Sequence, residues 1–416
     1  MTHSPAGLSL LALTTLLALS QGAHASLPDL ISLGPRSAAM AGTGVAVADD
    51  WEATYQNPAG LSQTKTKLSL GFVYGGYRLT IDEQPHPISN PAGLQIGASV
   101  GLPLGGILRD RIGIGLGLYL PAGVVNRVSV PYPEIPRAAL LDARTEVVSV
   151  LVGLGVRLPW GLRLGGGVLA LAALVGDIII KPDGSGRITS ISEEQLTVDY
   201  APIVGVRWSP PSERIQLGLA FRGASRSSYL LRLHTELGDA IPLGLPLISF
   251  AGIAQYDPLQ LAAEAALHLT PSLLLVGQLA WKNWSDYRYP IEPATADSPK
   301  LPTPGFHDTV VPRASMEYRA PAPTWLTVKL RAGYFFDWTP TPKNQPDDDG
   351  KSLLDTSRHV LSVGVGLSLI GRVPLDLDLF GQAHLLTQCQ CHRLNGQLLI
   401  GGATLGVYLY GRAHAD

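Results

Sequence analysis

Cysteine is nearly absent: the 416 residues hold two, Cys389 and Cys391, which excludes a small secreted fold stapled by disulfides. Charge is sparse as well. Asp, Glu, Lys and Arg make up 15% of the chain, the formal net charge is −2, and no Lys/Arg cluster occurs, so nucleic acid is excluded as a partner, because phosphate binding needs a concentrated basic face. Also missing, beyond the N-terminal segment, is any run of eighteen or more uninterrupted apolar residues that could cross a membrane as a helix. Yet the mean hydropathy is positive, and 46 glycines and 33 prolines are unlike the composition of a soluble enzyme. An apolar chain without spanning helices points to strands.

The N-terminus is set apart. Leu8 to Leu19 is apolar, is bounded by Pro5 and Gly7, and is followed by Ala23-His24-Ala25, an A-x-A cleavage pattern. Residues 1–25 read as a secretory signal peptide, although no Lys or Arg precedes the apolar run; the alternative is a buried helix.

Period-two alternation then recurs along the chain. In Arg111 to Leu120, Ile112, Ile114, Leu116, Leu118 and Leu120 share one face, and Gly113, Gly115, Gly117 and Tyr119 the other. Arg358 to Leu369 splits in the same way. A greasy face opposite a small or polar one suits either a sandwich or a membrane barrel whose apolar face meets lipid. About fourteen strands are expected, near 67–80, 92–103, 111–120, 144–158, 162–178, 198–208, 213–236 (long enough for two), 258–269, 272–286, 308–319, 326–337, 358–369, 374–386 and 397–410. Long links, 237–257 among them, alternate with short ones such as Pro159-Trp160-Gly161 and Thr270-Pro271. Short periplasmic turns and long extracellular loops on an even strand count are the outer-membrane pattern, which gives an all-β fold, a transmembrane antiparallel up-and-down β-barrel.

Charged residues within strands belong on the lumen face. Arg222, Glu264, Arg313, Glu317, Lys329, Arg331, Asp376 and Asp378 all lie opposite the apolar faces of their strands. Mixed signs suggest a ladder of paired side chains bracing the wall, with direct ligand contact as the alternative. Strands that are apolar on both faces, such as Leu162 to Val175 with its Gly165-Gly166-Gly167, favour an apolar cargo over ions.

Residues 34–63 combine a small-residue run (Ala38-Ala39-Met40-Ala41-Gly42-Thr43-Gly44), the step Ala48-Asp49-Asp50 and then Asn57-Pro58-Ala59. This segment resembles the N-terminal plug of the FadL/TodX family of fatty acid and aromatic hydrocarbon transporters of the Gram-negative outer membrane. Leu330 to Pro342 followed by Asp355 to Gly366 resembles the family's LRAGY…P…D…RHVLSVG segment, and Trp284-Ser285 its WS step. The resemblance implies a fourteen-stranded barrel (67–410) with a hatch (26–66) inside its lumen and a short tail (411–416). It implies a hydrophobic small-molecule ligand and lateral release through a kink in the third strand, where Pro121 and Gly123 stand; the alternative is that Pro121 only opens the next loop. Gly42 and Gly44 would let the hatch approach the wall closely, and Asn57, Pro58, Ala59 and Gly60 would form its hinge or latch, or a rigid turn. Outer-membrane lipid and the barrel-assembly machinery are the further partners implied, and a monomer is expected. For a fatty acid carboxylate, Arg137, Arg144 or Arg313 could serve.

No cofactor is expected, since no nucleotide-binding loop or energy-coupling box occurs; uptake would be passive, driven by desolvation of the ligand. Cys389-Gln390-Cys391-His392 matches no strong zinc spacing, and Asp347-Asp348-Asp349-Gly350 lacks the later Glu of a calcium loop, so no metal is expected. Neither is an enzyme: His359 and Ser362 are three residues apart and face opposite ways on one strand, against the shared face that a barrel lipase needs. The rival reading is a structural or adhesin-like barrel acting through its extracellular loops.

Overall fold

The computed structural model describes residues 27–122, 137–138, 140–141, 147–182, 188–235, 248–287, 291–292, 304–342, 353–371, 373–387 and 394–409. Fourteen antiparallel strands close into a barrel: β1 (Lys67–Ile81), β2 (Ala92–Gly101), β3 (Ile112–Pro121), β4 (Ser149–Arg157), β5 (Leu162–Pro182), β6 (Ile188–Trp208), β7 (Ile215–Arg222, continued as Ser225–Thr235), β8 (Ile248–Asp257, continued as Gln260–Thr270), β9 (Leu273–Lys282), β10 (Thr309–Ala320), β11 (Leu326–Asp337), β12 (Arg358–Leu369), β13 (Leu375–Leu386) and β14 (Leu394–Tyr408). Closure is made by β14 on β1, from Lys67 opposite Tyr408 to Ile81 opposite Leu394. A closed ladder leaves no strand edge to lipid, where an unpaired backbone group costs several kcal/mol by order of magnitude.

Alternation decides which way each residue points. On β1, Leu68, Leu70, Phe72 and Tyr74 face out and are exposed, while Lys67, Ser69 and Val73 face in and are buried. The apolar outer belt is edged by aromatic side chains: Trp160, Trp208, Tyr318 and Trp325 toward the short-turn end, Tyr74, Tyr200, Trp281, Tyr334 and Trp338 toward the other. Two aromatic rings around an apolar band are what a barrel shows at the two membrane interfaces.

The wall departs from the expected plan above its upper rim. After Arg222, β7 parts from β6, and its continuation Ser225–Thr235 pairs in parallel with β5, Tyr229 opposite Leu174 through Thr235 opposite Ile180. Asp199, on the inward parity with buried Ala201 and Ile203, accepts from Ser228 Oγ at 2.8 Å, so this continuation crosses the inner face of β6. Residues 248–257, expected as loop, form the strand that pairs with it. Among the described residues, β6 from Ile188 to Pro202 has no ladder on its β7 side. A smaller interruption occurs where Pro312, which lacks an N–H, ends the β10–β11 ladder at Arg313–Phe335; His307 N–H donating to Pro340 at 2.9 Å bridges it from above.

By contrast, the third strand is unbroken. β3 pairs with β2 from Gly113 to Pro121, and Ala122 N–H still donates to Ala92 at 2.7 Å, so the expected break in pairing does not occur at Pro121. Pro121 simply ends the strand; Gly123 lies outside the described residues.

Residues 27–66 fill the lumen as a hatch of short turns: α1 (Leu27–Ile31), α2 (Pro35–Ala39), α3 (Ala53–Gln56) and a 3₁₀ turn (Pro58–Gln63). Its partner surface is the inward glycine face of the wall. A Cβ on Gly97 would lie 2.1 Å from the Trp51 ring, on Gly113 1.9 Å from Leu61 O, and on Gly165 2.1 Å from Ala59 N. The glycines of β5 that promised an apolar passage are therefore where the hatch backbone lies. Gly166, one residue on and facing out, meets nothing within 4 Å.

The pair gives a controlled test. Gly165→Val should displace the hatch, at about 1–3 kcal/mol for overpacking, and speed proteolysis within residues 27–66 about tenfold or more. Gly166→Val, on the lipid side, should leave cleavage at the wild-type rate; equal rates in the two variants would show that the hatch does not rest on this face.

Candidate functional site

A hatch inside a closed wall carries irregular backbone away from water, and each of its polar groups needs a partner. The wall supplies them from β6, β7, β8, β10 and β13. Glu264 accepts from Gly44 N–H and Ala46 N–H, both at 2.8 Å. Arg207 donates to Ala48 O, Arg222 to Tyr55 O at 3.1 Å, Arg313 to Ala41 O at 2.8 Å, and Gln382 to Ile31 O and Ala38 O. Arg222 and Arg313 also stack on Tyr55 and Phe335, 4.5 and 4.4 Å from the ring centres.

The sequence-predicted site residues fall into two groups, one gripping the hatch and one paired along the wall as a ladder. Arg222, Glu264 and Arg313 grip hatch backbone. Glu317 holds Arg36 of the hatch at 3.0 Å and Arg331 of the wall at 2.7 Å, while Arg331 reaches Asp378 and Asp376 holds Lys67 at 2.8 Å. Arg207, Gln382, Lys282 and Asp29 escaped sequence reading. For the three on strands the signal is a polar residue at inward parity, as for Lys282 in line with Leu274, Val276, Gln278 and Ala280; Asp29, ahead of the first strand, has none. Arg144 lies outside the described residues, as does the Arg137 side chain; Cys389 and Cys391 do too.

Gly42 has φ of +75° and a Cβ there would strike Arg313, so glycine is required for the turn and for the guanidinium beside it. Gly44, at φ +154°, presents its N–H to Glu264. Asn57 is fully buried. Its Oδ1 accepts from Ala59 N–H at 3.1 Å, and its Nδ2 lies within hydrogen-bond reach of Val45 O, Val206 O and Leu219 O at 2.8, 3.0 and 3.4 Å, which ties two stretches of hatch to the paired strands β6 and β7. Pro58 opens the 3₁₀ turn, and Gly60 passes so close to Ala48 O that a Cβ would sit 2.0 Å from it. The geometry is a clamped turn.

Within the hatch, Glu52 accepts from the N–H groups of Arg36 and Ser37 and from Ser37 Oγ. Burial first, and then the charge of Asp50, raises its carboxyl to about 7.

Polarity divides the lumen. On the periplasmic side a space of about 220 Å³ is lined by Arg36, Asp50, Lys67, Lys329, Asp376 and Asp378 among others. On the upper side of the hatch, Leu30 and Ile31 of α1 pack against Val73, Phe380, Leu398 and Ile400 of β1, β13 and β14. Higher still, Trp284, Tyr287 and Phe306 cluster, with the Tyr287 and Phe306 rings stacked at 4.9 Å.

The Glu52 shift fixes a pH dependence. An acid whose folded value is raised stabilises the hatch fully below its unfolded value, near 4.5, and that contribution is lost as pH rises to about 7. Urea release of the hatch, followed by protease sensitivity, should need less urea at pH 7.5 than at pH 5, by a few kcal/mol at most. Glu52→Gln should flatten this difference; an undiminished difference in that variant would assign it to another group.

No protein-family model matches the sequence, and no curated protein matches it. Solved structures do. A FadL homologue of Pseudomonas aeruginosa superposes with a TM-score of 0.61 at 15% identity, over 93% of this chain and 99% of that one. The toluene transporter TodX of P. putida gives 0.57 at 14% over 93% and 100%, and the monoaromatic hydrocarbon channel CymD 0.56 at 15% over 92% and 99%. The closed fourteen-stranded barrel with a hatch in its lumen is therefore the fold of the FadL and TodX channels, shared along nearly the whole length of both chains.

Proposed function

We propose that this chain is a non-enzymatic outer-membrane channel for passive uptake of hydrophobic small molecules, gated by its hatch. One observation carries the reading: an apolar side of the upper lumen, on β1, β13 and β14, ends on a hatch whose periplasmic side is lined with charge. An apolar molecule gains by leaving water for the upper lumen and loses on continuing along the axis. The aromatic cluster at the mouth supports capture, and among the solved channels of like fold TodX is a toluene transporter and CymD a monoaromatic hydrocarbon channel. Lateral release into the surrounding lipid follows from the same polarity argument, because the axial way out is the costly one. The departure of β7 from β6 above Pro202 supports an exit there in place of Pro121. Asn57 to Gly60 serve in this reading as the latch that release must undo.

The test is uptake of labelled oleate and labelled toluene into proteoliposomes, comparing the intact chain with Asn57→Ala. Accumulation above empty liposomes, faster in the latch variant by about threefold to tenfold for one lost buried anchor, is the expected outcome. Absence of uptake of both compounds would favour the loop-mediated, adhesin-like reading.

A further inference from the structure

Inward glycines of the wall are explained by what lies against them: a Cβ on Gly402 would strike Phe380, and one on Gly71 would strike Thr404. Three outward glycines at the closure seam have no such reason. A Cβ on Gly381 would meet nothing within 4 Å, one on Gly76 only Asn90 Oδ1 at 3.9 Å, and one on Gly401 only Phe380 O at 3.2 Å. Glycine inside a strand costs packing and chain entropy, and where no bulge or bend calls for it, it marks a close approach to the backbone. Register brings the three together. Tyr74, Gly401, Gly381 and Val363 stand side by side on β1, β14, β13 and β12, and Gly76, Leu399, Ala383 and Leu361 form the next row up. They enclose a groove of about 560 Å³ in the lipid-facing wall, flanked by Tyr74 and Val363, which are 59% and 62% exposed. Directly above it the wall turns polar. Arg78 of β1 stands opposite Gln397 of β14, neither side chain has a partner among the described residues, and no Asp or Glu occurs in these rows.

We propose that this groove is a lipid site on the outside of the barrel, in which a phosphorylated glycolipid of the outer leaflet lays an acyl chain over Gly401 and Gly381 and sets its phosphate on Arg78 and Gln397. The level of the groove fixes the leaflet: Tyr74 belongs to the aromatic ring of the upper membrane interface, and Arg78 lies four residues nearer the outside on the same strand. Charge selects the head group. An unpaired guanidinium fork beside an amide donor suits a phosphate, which it can meet with two parallel hydrogen bonds, whereas a lipid without net charge fills the groove and leaves Arg78 uncompensated. The site would exist on a barrel that transported nothing, so it stands apart from the uptake reading. Its place is the seam where β14 closes on β1, and on the inner side of these strands Leu30 and Ile31 of the hatch pack against Val73, Leu398 and Ile400. A lipid bound only to the closed wall stabilises that closure.

Native mass spectrometry of the full chain, delipidated in detergent and titrated with diphosphoryl lipid A, phosphatidylglycerol or phosphatidylcholine, tests this. Wild type should hold one lipid A per chain about tenfold more tightly than phosphatidylcholine, and Arg78→Gln should remove most of that difference. Gly381→Leu, which fills the groove from the lipid side, should weaken lipid A by about threefold to tenfold, while Gly166→Leu, an outward glycine on β5 away from the groove, should leave it unchanged. Should Gly381→Leu fail to close as a barrel, Arg78→Gln carries the comparison. Wild-type affinity in Gly381→Leu, or lipid A bound no better than phosphatidylcholine, would overturn the site. Phosphatidylglycerol held as tightly as lipid A, with the same dependence on Arg78, would overturn the assignment to the glycolipid.

Discussion

The constraint on which the structure turns is that hatch backbone buried in a closed lumen must find its hydrogen bonds in the wall. Barrel closure satisfies most of the strand backbone by itself, from β1 round to β14, the upper part of β6 excepted. The hatch has only short turns with which to satisfy its own groups, so its free amides and carbonyls fall to Glu264, Arg207, Arg222, Arg313 and Gln382. An unmet group there costs about 1–3 kcal/mol, so the set holds the hatch in one seat far more firmly than packing of alanines and glycines could. Specific seating and closure of the lumen are one property.

Firm seating also dictates what opening requires. Charged anchors at the periplasmic rim, Arg36 with Glu317 and Asp50 with Lys67, lie at the end of the lumen that a molecule entering from outside does not reach first. The upper anchors are different: Asp29, Arg222 and Tyr55 lie at the boundary between the apolar lumen and the hatch. A molecule arriving from outside reaches these first. Strand β7 carries Arg222 and begins its departure from the wall one residue later, so the same short stretch joins hatch to wall and interrupts the wall.

Much of this was legible in the sequence because barrel strands are written locally. Alternation at Ile112 to Leu120 and at Val360 to Leu369 places strands and faces, and inward parity alone places Arg222, Glu264, Arg313 and Glu317 in the lumen. Partners are a different matter. Gly113, Gly115 and Gly165 read only as a small face; that the hatch, some fifty to a hundred residues earlier, fills it is a tertiary fact that one strand does not encode. Proline shows the same limit. Pro121 and Pro202 each lack a ladder donor, but only Pro202 lies beside a strand that turns away, and that choice belongs to β7. Asp29 was silent because an isolated Asp after an apolar leader carries no pattern, and Lys282 because it ends a strand where a rim residue is ordinary.

The central claim, a hatch seated by the wall and loosened by cargo, is most directly tested by hydrogen–deuterium exchange of the intact chain in nanodiscs, with and without a saturating hydrophobic ligand. The account requires slow exchange over residues 34–63 without ligand, faster exchange there with it, and no change in β1 to β4. Fast exchange of the hatch in the absence of ligand, or protection that ligand leaves untouched, would contradict it.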